Sequence, residues 1–406
     1  MNRYLRVAAW QGLEGNLLKS PVLAFFQTFL VLMPVIVPYL AGLGLTMQQI
    51  LTTQACFSAV IVVMEVPSGY VADRLGRRLA LLAGTAFLAA GFLTLWWADS
   101  FVDILVFEGL LGVGASMISG ADLALLYDTE LALGRDGEST TAVANLYTMH
   151  AVSEAAAAIA CSLLLLLSMR AVIVVQVVAG LVPLLVALTL VEPPVRKDEL
   201  AMPLRVREVV THMVGGDPVL RWTVLSLALW PLTTFFAVWI LQPQWQAAGV
   251  PLHLFGYLWA ALMLIAGLAG RWAERLERRL GSARLLLLVG ALPVLGFVGL
   301  ATTPLLATLL FAAGFYVTRG IGSVVLRNAL NRRTPSRFRA TANSLASFGF
   351  RGSFVVAGPL VGGFMDLHGL TATLWLLAGG SLVVSALVLT PLITSINRQR
   401  AVQPAE

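Results

Sequence analysis

The decapeptide GYVADRLGRR at residues 69–78 returns as GRWAERLERR at residues 270–279, with six of ten positions identical. The offset of 201 residues is about half of the 406-residue chain. A second internal repeat pairs TAVAN at residues 141–145 with RATAN at residues 339–343, at an offset of 198. Two repeats at nearly the same offset indicate that the chain is a tandem duplication of one structural unit.

The sequence around these repeats is strongly apolar. Hydrophobic residues make up 58% of the chain, charged residues make up 12%, and the mean hydropathy is +0.86. Because a soluble domain carries about 25% charged residues, this composition excludes soluble, disordered and disulfide-scaffold proteins. We therefore predict an all-α polytopic membrane protein with twelve transmembrane helices. The apolar stretches that predict them cover residues 17–40, 46–68, 79–97, 101–127, 142–168, 170–191, 219–242, 252–270, 283–301, 303–328, 341–365 and 370–395.

The longest polar segment, residues 192–218, separates the apolar stretches into two sets of six. It begins with two prolines, carries charges of both signs and has valines at helical spacing, which predicts a short amphipathic helix at the membrane surface. We predict two pseudo-symmetric six-helix bundles, residues 1–191 and residues 219–406, joined by this cytoplasmic linker.

The placement of lysine and arginine predicts the orientation in the membrane. With both termini cytoplasmic, Arg170 is outside, Arg319 and Arg351 lie within spans, and the other 24 (27 − 3) lie in cytoplasmic loops, tails or span ends. The positive-inside rule favours this arrangement. The net charge of +6 is then explained by anionic lipid rather than nucleic acid. We predict a multi-pass monomer in a bacterial cytoplasmic (inner) membrane.

The first repeat resembles the signature G-x-x-x-D-R-x-G-R-R of the major facilitator superfamily, which follows the second span. The extended run MEVPSGYVADRLGRR at residues 64–78 is similar to a bacterial branch that has Glu and Pro before the signature. SGADLALLYD at residues 119–128 and RATANSL at residues 339–345 resemble the same branch. The resemblance implies a secondary transporter that carries a small-molecule substrate by rocking of two six-helix bundles.

Three signature residues have expected structural roles. Gly69 is expected to let two helices pack closely, and Gly76 to supply a turn with positive φ. The resemblance implies that Asp73 meets a helix N-terminus or an arginine of the other bundle, which closes the cytoplasmic side. A carboxylate at a helix N-terminus contributes about 0.3–2 kcal/mol, which suits a contact that breaks in each cycle.

The arginines of the signature, Arg74, Arg77 and Arg78, are expected either to pair with nearby acids or to anchor the loop to lipid headgroups. In the second copy, Glu274, Arg275 and Arg278 occupy matching positions, whereas Glu277 replaces the turn glycine. We therefore expect the tight turn to be lost there and the gate to be asymmetric.

Charged groups inside the spans are candidates for substrate or proton binding, because an unpaired charge in a membrane is costly. In many proton-coupled members of the resembled family, an arginine stands four residues before a glycine of this span. Here Glu108 stands four residues before Gly112, and we expect it to be either a site acid or a residue near the outer mouth. Asp122 is expected to face the bundle interior, and Asp128 to act as an interfacial cap or gate acid.

Glu154 and His150 share one helical face in the fifth span, and Arg351 occupies nearly the matching place in the eleventh. The fifth and eleventh spans line the central cavity in the resembled family. Glu154 and Arg351 therefore form either a fixed ion pair or a functional pair that binds substrate or carries a proton.

Arg319 and Arg327 are eight residues apart in the tenth span and lie on one helical face. An anionic group on the substrate would suit them, and a carboxylate inside the protein is the alternative. The sequence G-P-x-x-G-G at residues 358–363 resembles a motif of exporters but lies in a different span, so close packing and a proline bend explain it.

The sequence contains no zinc-protease motif, phosphate-binding loop, CxxC pair or nucleophile elbow. We therefore predict no enzymatic activity, no cofactor and no bound metal, and energy supplied by an ion gradient. The favoured function is proton-coupled efflux of a small amphipathic compound such as a drug or metabolite. The alternatives are proton-coupled uptake of a nutrient or siderophore and, more remotely, a non-transporting membrane sensor.

Overall fold

The computed structural model describes residues 12–135, 139–194, 206–303 and 305–402, and these residues contain helices but no strand. Short 3-10 helices cover Met33–Val35 and Leu252–Leu254. The α-helices are α1 (Gly15–Gln27), α2 (Ile36–Gly42), α3 (Met47–Leu75), α4 (Arg77–Thr94), α5 (Phe101–Ile118), α6 (Ala121–Ala132), α7 (Ser139–Leu165), α8 (Met169–Leu188), α9 (Val206–Gly215), α10 (Pro218–Leu229), α11 (Leu232–Ala247), α12 (Phe255–Leu280), α13 (Ser282–Thr302), α14 (Leu305–Arg333) and α15 (Ser336–Val402).

Ten helical segments among these residues are long and apolar enough to cross a membrane, which confirms the all-α polytopic class. The longest, Thr341–Gln399, contains Gly369 with φ of 80° and ψ of 174°, so it consists of two helices joined at a bend. The first predicted span is broken into pieces of 13, 3 and 7 residues and is not one of the ten. Dividing the longest segment gives eleven spans, whereas each piece of the first predicted span is too short to count, so the number twelve stays a prediction.

The contacts of the chain group it into two units. The first unit comprises Met1–Leu45, Thr53–Leu200 and Leu252–Ala260. The second comprises Thr46–Thr52, Ala201–Pro251 and Ala261–Glu406. This grouping differs from the predicted bundles at two short segments. Thr46–Thr52 comes from the first predicted bundle but belongs to the second unit, and Leu252–Ala260 comes from the second predicted bundle but belongs to the first unit.

Small residues set the helix spacing in the first unit. A Cβ atom on Gly84 in α4 would lie 2.9 Å from the carbonyl oxygen of Gly114 in α5, and a Cβ on Gly114 would lie 2.7 Å from the oxygen of Gly84. Because glycine has no side chain, α4 and α5 pack backbone to backbone, as membrane helices do at small residues. Polar contacts hold α1 at its start: Asn16 donates to Thr129 Oγ1 at 3.1 Å and to the Val191 carbonyl at 2.7 Å.

The core of the second unit lies among α10, α13, α14 and the part of α15 after Gly369. Its buried residues include Val219, Leu286, Val325 and Leu389. Asp217 joins the ends of these helices because it accepts hydrogen bonds from the Val219 backbone, Arg333 and Gln399. The helices are thus fixed at one end by polar contacts and along their length by apolar packing.

The G-P-x-x-G-G motif packs against the first turn of α3 within the second unit. A Cβ on Gly362 would lie 2.6 Å from the Met47 carbonyl oxygen, and Asp366 accepts hydrogen bonds from the backbone N–H groups of Met47 and Gln48 at 2.9 and 2.8 Å. This contact supports the packing role that we predicted for the motif.

The predicted linker contains a helix, α9, where amphipathic spacing predicts one, although residues 195–205 lie outside the described residues. Met213 on α9 is buried and packs with Leu220, Leu330 and Phe338, whereas Glu208 and Val210 are exposed. The helix therefore presents one apolar side to the second unit.

Candidate functional site

A cavity of about 340 Å³ lies within the second unit, among the α10–α11 segment, α14 and the first part of α15. Its volume falls in the range of small-molecule sites, about 300–1,000 Å³. The lining combines aromatic, hydroxyl, amide and guanidinium groups, namely Leu227, Trp230, Pro231, Thr234, Phe235, Thr318, Arg319, Gly322, Ser323, Leu326, Arg327, Asn343, Ala346, Ser347 and Phe350.

Two arginines on α14 carry the charge of this cavity. Arg319 and Arg327 both line it and are both exposed, and their Cα atoms are about 12 Å apart along the helix axis. Neither guanidinium forms an ion pair or hydrogen bond with any residue in the described part of the chain. The carboxylate partner that was the alternative for Arg319 is therefore not present among these residues.

A bend in the seventh predicted span shapes the cavity wall. Pro231 has no N–H and clashes with the preceding turn, so α10 ends at Leu229 and α11 begins at Leu232. Trp230, at the bend, is 3% exposed and packs on Gly322, where a Cβ would lie 2.4 Å from its ring. The indole N–H of Trp230 has no hydrogen-bond acceptor among the described residues.

Aromatic rings form the apolar side of the cavity. The ring of Phe235 meets that of Phe350 edge to face, with centroids 5.3 Å apart, and that of Phe354 in the same way at 4.8 Å. Such edge-to-face contacts are favourable because the positive ring edge meets the negative ring face. The cavity therefore has a rigid apolar wall as well as a cationic one.

Most neutral polar groups of the lining already donate their hydrogen bonds. The hydroxyls of Thr234, Thr318 and Ser323 donate to the backbone carbonyls of Pro231, Val289 and Gly320. Asn343 donates to Asn331 Oδ1 and to the Arg339 carbonyl, both at 2.8 Å. Among the described residues, the free donors of the wall, apart from the buried indole of Trp230, are thus the two arginines and the Ser347 hydroxyl.

Glu108 lies in the interior of the first unit. Its side chain is 5% exposed, and it accepts a hydrogen bond from Gln54 Nε2 on α3. Gly112, one turn further along α5, packs closely on Val60, where a Cβ would lie 2.9 Å away. These contacts bury the carboxylate of Glu108 inside the first unit, and its role as a site acid or as a residue near the outer mouth stays a prediction.

The fourth predicted span is broken, contrary to our expectation of one helix. α5 ends at Ile118, Gly120 adopts φ of 81°, and α6 begins at Ala121. Asp122 is therefore in the first turn of a helix, half-buried, and close enough to His150 for an electrostatic interaction. The Nε2 atom of His150 is buried without a hydrogen-bond partner among the described residues.

Glu154 is an exposed residue of α7 in the first unit, and Arg351 is a half-buried residue of α15 in the second. Both side chains take part in interactions, so neither is an isolated charge. Their predicted pairing stays a prediction.

The signature loop, which comprises residues 69–78, is held in place by carboxylate side chains. Arg77 Nη1 lies 2.5 Å from Asp73 Oδ1, and Arg77 Nε lies 3.7 Å from Asp128 Oδ2. Glu192 accepts the backbone N–H groups of Arg77 and Arg78 at 2.8 and 2.7 Å, so it caps the N-terminus of α4. Arg77 thus has the acidic partners predicted for the arginines.

The glycines and the remaining arginine of the loop differ in their roles. Gly76 has φ of 106° and ψ of 155°, which confirms the positive φ. A Cβ there would also lie 2.8 Å from Glu192 Oε1, so the cap needs glycine. The close packing predicted for Gly69 is wrong, since a Cβ there would meet no described atom within 4 Å. Arg74 lies 5.7 Å above the Tyr70 ring.

The second copy repeats the ion pair but moves the turn. Arg278 Nη1 lies 3.7 Å from Glu274 Oε2, again at a separation of four residues, and Arg275 lies 5.6 Å above the Trp272 ring. The turn that we expected to be lost is displaced: α12 continues through Glu277 to Leu280, and Gly281 has φ of 78° and ψ of 149°. The sequence Arg-Leu-Gly precedes the new helix in both copies, which is the signal that locates the displaced turn.

Several residues of these sites were missed by sequence reasoning. Gln54, Glu192 and Asp366 act through partners more than 50 positions away, so no local pattern marks them. Lys19 is completely buried and donates to the Thr189 carbonyl at 2.5 Å, although a lysine near the start of a span reads as an interfacial anchor.

The sequence matches the Major Facilitator Superfamily over residues 21–331, which is more than half of the chain. No curated protein sequence matches it at a significant level. Among solved structures, a bacterial homologue of the human lysosomal transporter Spinster, in an inward-facing and unoccupied conformation, has a TM-score of 0.75 at 15% identity, covering 95% of this chain and 98% of its own.

The nucleoside transporter NupG has a TM-score of 0.73 at 13% identity, covering 93% of this chain and 98% of its own. The D-xylose–proton symporter has a TM-score of 0.71 at 14% identity, with coverage of 91% and 96%. At these identities the likeness establishes the fold, and the sequence match establishes the family. The chain belongs to the Major Facilitator Superfamily of membrane transporters.

Proposed function

We propose that this protein is a secondary active transporter that works by alternating access and exports a small amphipathic compound in exchange for protons. The two predicted bundles, residues 1–191 and residues 219–406, are the moving parts in this proposal, and residues 192–218 connect them. The proposed setting is a bacterial cytoplasmic membrane with both termini inside the cell, which the distribution of arginine and lysine supports.

The observation that carries the proposal is the cavity of the second unit. A volume of about 340 Å³ with an aromatic side and two arginines that form no ion pair or hydrogen bond with a described residue suits an organic molecule that has an apolar and a polar part. Membrane transporters bind their substrates near the midplane, in cavities lined by such convergent groups. Charged side chains in spans that have no structural partner are by default functional candidates.

The acids of the first unit are the proposed proton carriers. Glu108 is shielded from solvent, Asp122 lies beside His150 at a helix break, and Glu154 is exposed within a long apolar helix. Broken helices in transporters are typical sites of ion and substrate binding, because their ends expose backbone groups. The helix break therefore favours Asp122 and His150 as a site of proton exchange, with Glu154 as the second candidate.

The signature loop is the proposed gate. Asp73 and Arg77 form an exposed ion pair, and pairs of this kind contribute only about 0–1 kcal/mol. A contact of this strength can break and form again in each cycle. The second copy, with its longer and more exposed pair of Glu274 and Arg278, is expected to contribute less.

Uptake of a nutrient by proton symport is the second candidate, because one of the similar structures is a D-xylose–proton symporter. Both candidates are tested by reconstituting the full chain in liposomes and measuring flux of a panel of compounds with an imposed pH gradient of either sign. In inverted vesicles with an acidic interior, protons leave the vesicle. Export in exchange for protons then predicts that the compound accumulates inside the vesicle, whereas symport predicts that the compound leaves together with the protons. If no compound moves faster with either gradient than with none, proton-coupled transport is excluded.

A further inference from the structure

We propose that the substrate of this transporter is a small organic anion, whose oxyanion group binds Arg319 and Arg327 while its flat apolar body lies against the aromatic wall. This inference rests on the proposed transport function and adds the chemical class of the substrate. It also assigns the anion-binding residues, which lie on α14 in the cavity of the second unit.

The charge of the lining is the first argument. Two guanidinium groups line the cavity, and none of its lining residues is Asp or Glu. A guanidinium group always carries its proton, so both arginines stay cationic. A cavity with two cations and no counter-charge attracts an anion and disfavours a cationic drug.

The second argument is that the carboxylates of this part of the chain are engaged elsewhere. Residues 218–402 contain fifteen arginines but only three acids. Glu274 pairs with Arg278, Glu277 accepts a hydrogen bond from Ser282, and Asp366 accepts two backbone N–H groups. The nearby Asp217 pairs with a third arginine at 2.9 Å. None of these contacts involves Arg319 or Arg327, so no described acid of residues 217–402 neutralises them, and the proposal assigns this role to the ligand.

The third argument is an excess of hydrogen-bond donors. Each arginine offers five N–H groups, and neither guanidinium donates a hydrogen bond to a described residue. The hydroxyl hydrogens of Thr234, Thr318 and Ser323 are already donated to backbone carbonyls. Carboxylates, sulfonates and phosphates accept several hydrogen bonds and pair with guanidinium groups in a bidentate manner, so they complete this site.

The shape of the cavity defines the rest of the ligand. The rings of Phe235 and Phe350, which pack edge to face on each other, line the cavity together with Trp230, which packs on Gly322. A dry protein cavity of about 150 Å³ holds benzene. The cavity of about 340 Å³ therefore has room for a bicyclic aromatic body together with its anionic group.

The test uses three ligands of the same shape and different charge, namely 1-naphthoate, 1-naphthamide and 1-naphthylmethylamine. Binding to the purified full chain in lipid nanodiscs is measured by calorimetry at pH 7. We expect 1-naphthoate to bind at least about tenfold more tightly than the amide or the amine, because only the carboxylate meets both cations. Equal or tighter binding of the amine or amide overturns the proposal.

Two variants assign the anion to its site. Arg319→Gln and Arg327→Gln should each weaken 1-naphthoate binding by about 10- to 100-fold and leave 1-naphthamide binding unchanged, since a charged hydrogen bond is lost in each. Retained amide binding also shows that the variants are folded. Arg398→Gln removes an exposed arginine outside the cavity and should bind all three ligands as the unmodified protein does. Unchanged 1-naphthoate affinity in both cavity variants overturns the assignment.

Two further ligands identify the anionic group. Binding of 1-naphthalenesulfonate and 1-naphthyl phosphate is compared with that of 1-naphthoate, and the tightest of the three gives the substrate chemistry. Failure of all three anions to bind at millimolar concentration overturns the proposal.

Liposome flux separates this inference from the proposed function. Proton-driven flux of the amine or amide without binding of any anion contradicts the substrate class and leaves the transport function standing. Arginine-dependent binding of an anion without flux of any compound supports the site and contradicts transport.

Discussion

Residues 119–128 and residues 319–328 hold the same place in the two halves of the chain, yet they have different structures. The first reads SGADLALLYD and the second RGIGSVVLRN, with glycine at the second position of both. Gly120 has φ of 81° and separates two helices, whereas Gly320 lies inside the continuous helix α14. A Cβ on Gly120 would meet nothing within 4 Å, but one on Gly320 would lie 2.3 Å from the Ala266 carbonyl oxygen.

The two segments also differ in charge. The first carries Asp122 and Asp128, and the matching region of the second carries Arg319 and Arg327. The two segments at matching places are thus an acidic, broken helix in one half and a basic, continuous helix in the other. This difference agrees with the proposed division of roles, in which acids of the first half carry protons and arginines of the second half bind an anion.

The largest effect is expected from alanine at the two glycines. Gly320→Ala should lower the free energy of unfolding by about 3 kcal/mol or more, because its Cβ overlaps the backbone of α12. Gly120→Ala should cost only about 1–2 kcal/mol, which is the price of a positive φ in open space. Thermal unfolding of both variants in the same detergent measures the loss of stability in each. Equal losses would show that the two glycines do not differ in packing.

The next largest effect concerns the two copies of the signature. Asp73→Asn should slow transport up to about fivefold, equivalent to about 1 kcal/mol in the barrier, because the short pair with Arg77 is lost. Glu274→Gln should slow it about twofold, since its pair is longer and more exposed. Initial rates in liposomes are measured at matched protein incorporation. A stronger effect of Glu274→Gln would reverse the proposed asymmetry of the gate.

Acid and arginine substitutions should separate proton coupling from substrate binding. Glu154→Gln, or Asp122→Asn, should remove the several-fold acceleration by a pH gradient while flux down a substrate gradient continues. Arg319→Gln should keep the pH response and raise the substrate concentration at half-maximal rate. Asp99→Asn, an exposed acid outside these sites, is the control. A normal pH response in both acid variants moves the proton site elsewhere.

The smallest effect is expected at the cap of α4. Glu192→Gln should cost about 0.5–1 kcal/mol, because the negative charge at the backbone N–H groups of Arg77 and Arg78 is lost. Hydrogen exchange of these amides should become several-fold faster. Glu277→Gln keeps an oxygen acceptor for Ser282 and should change exchange at the start of α13 less. Unchanged exchange at Arg77 in the first variant would exclude the capping role.

Much of the fold could be predicted from the sequence because its signals are local or periodic. Apolar stretches of membrane length predicted the helices, and the duplicated decapeptide predicted two related halves. The positive φ at Gly76 was predictable because the family signature requires a turn there. The shared face of Arg319 and Arg327 follows from their spacing of eight residues along one helix.

The structure differs from the predictions made from the sequence where contacts between distant residues decide the local structure. Nothing in Ser119-Gly120 or Arg319-Gly320 alone shows that the first breaks its helix and the second does not, because close packing on Ala266 decides the latter. Glu192 caps a helix that begins 115 residues earlier in the chain. The absence of an acid from the cavity lining likewise becomes visible only when α10, α11, α14 and α15 are brought together.

The displaced turn at Gly281 shows how the duplicated halves tolerated a change in length. Arg-Leu-Gly ends at residue 76 in the first copy and at residue 281 in the second, an offset of 205 against 201 for the decapeptide. Measured from the shared decapeptide, α12 therefore continues four residues further than α3, which adds about 6 Å and rotates the position of the turn by only about 40°. Because four residues are nearly one whole helical turn, Gly281 leaves α12 on nearly the same side as Gly76 leaves α3.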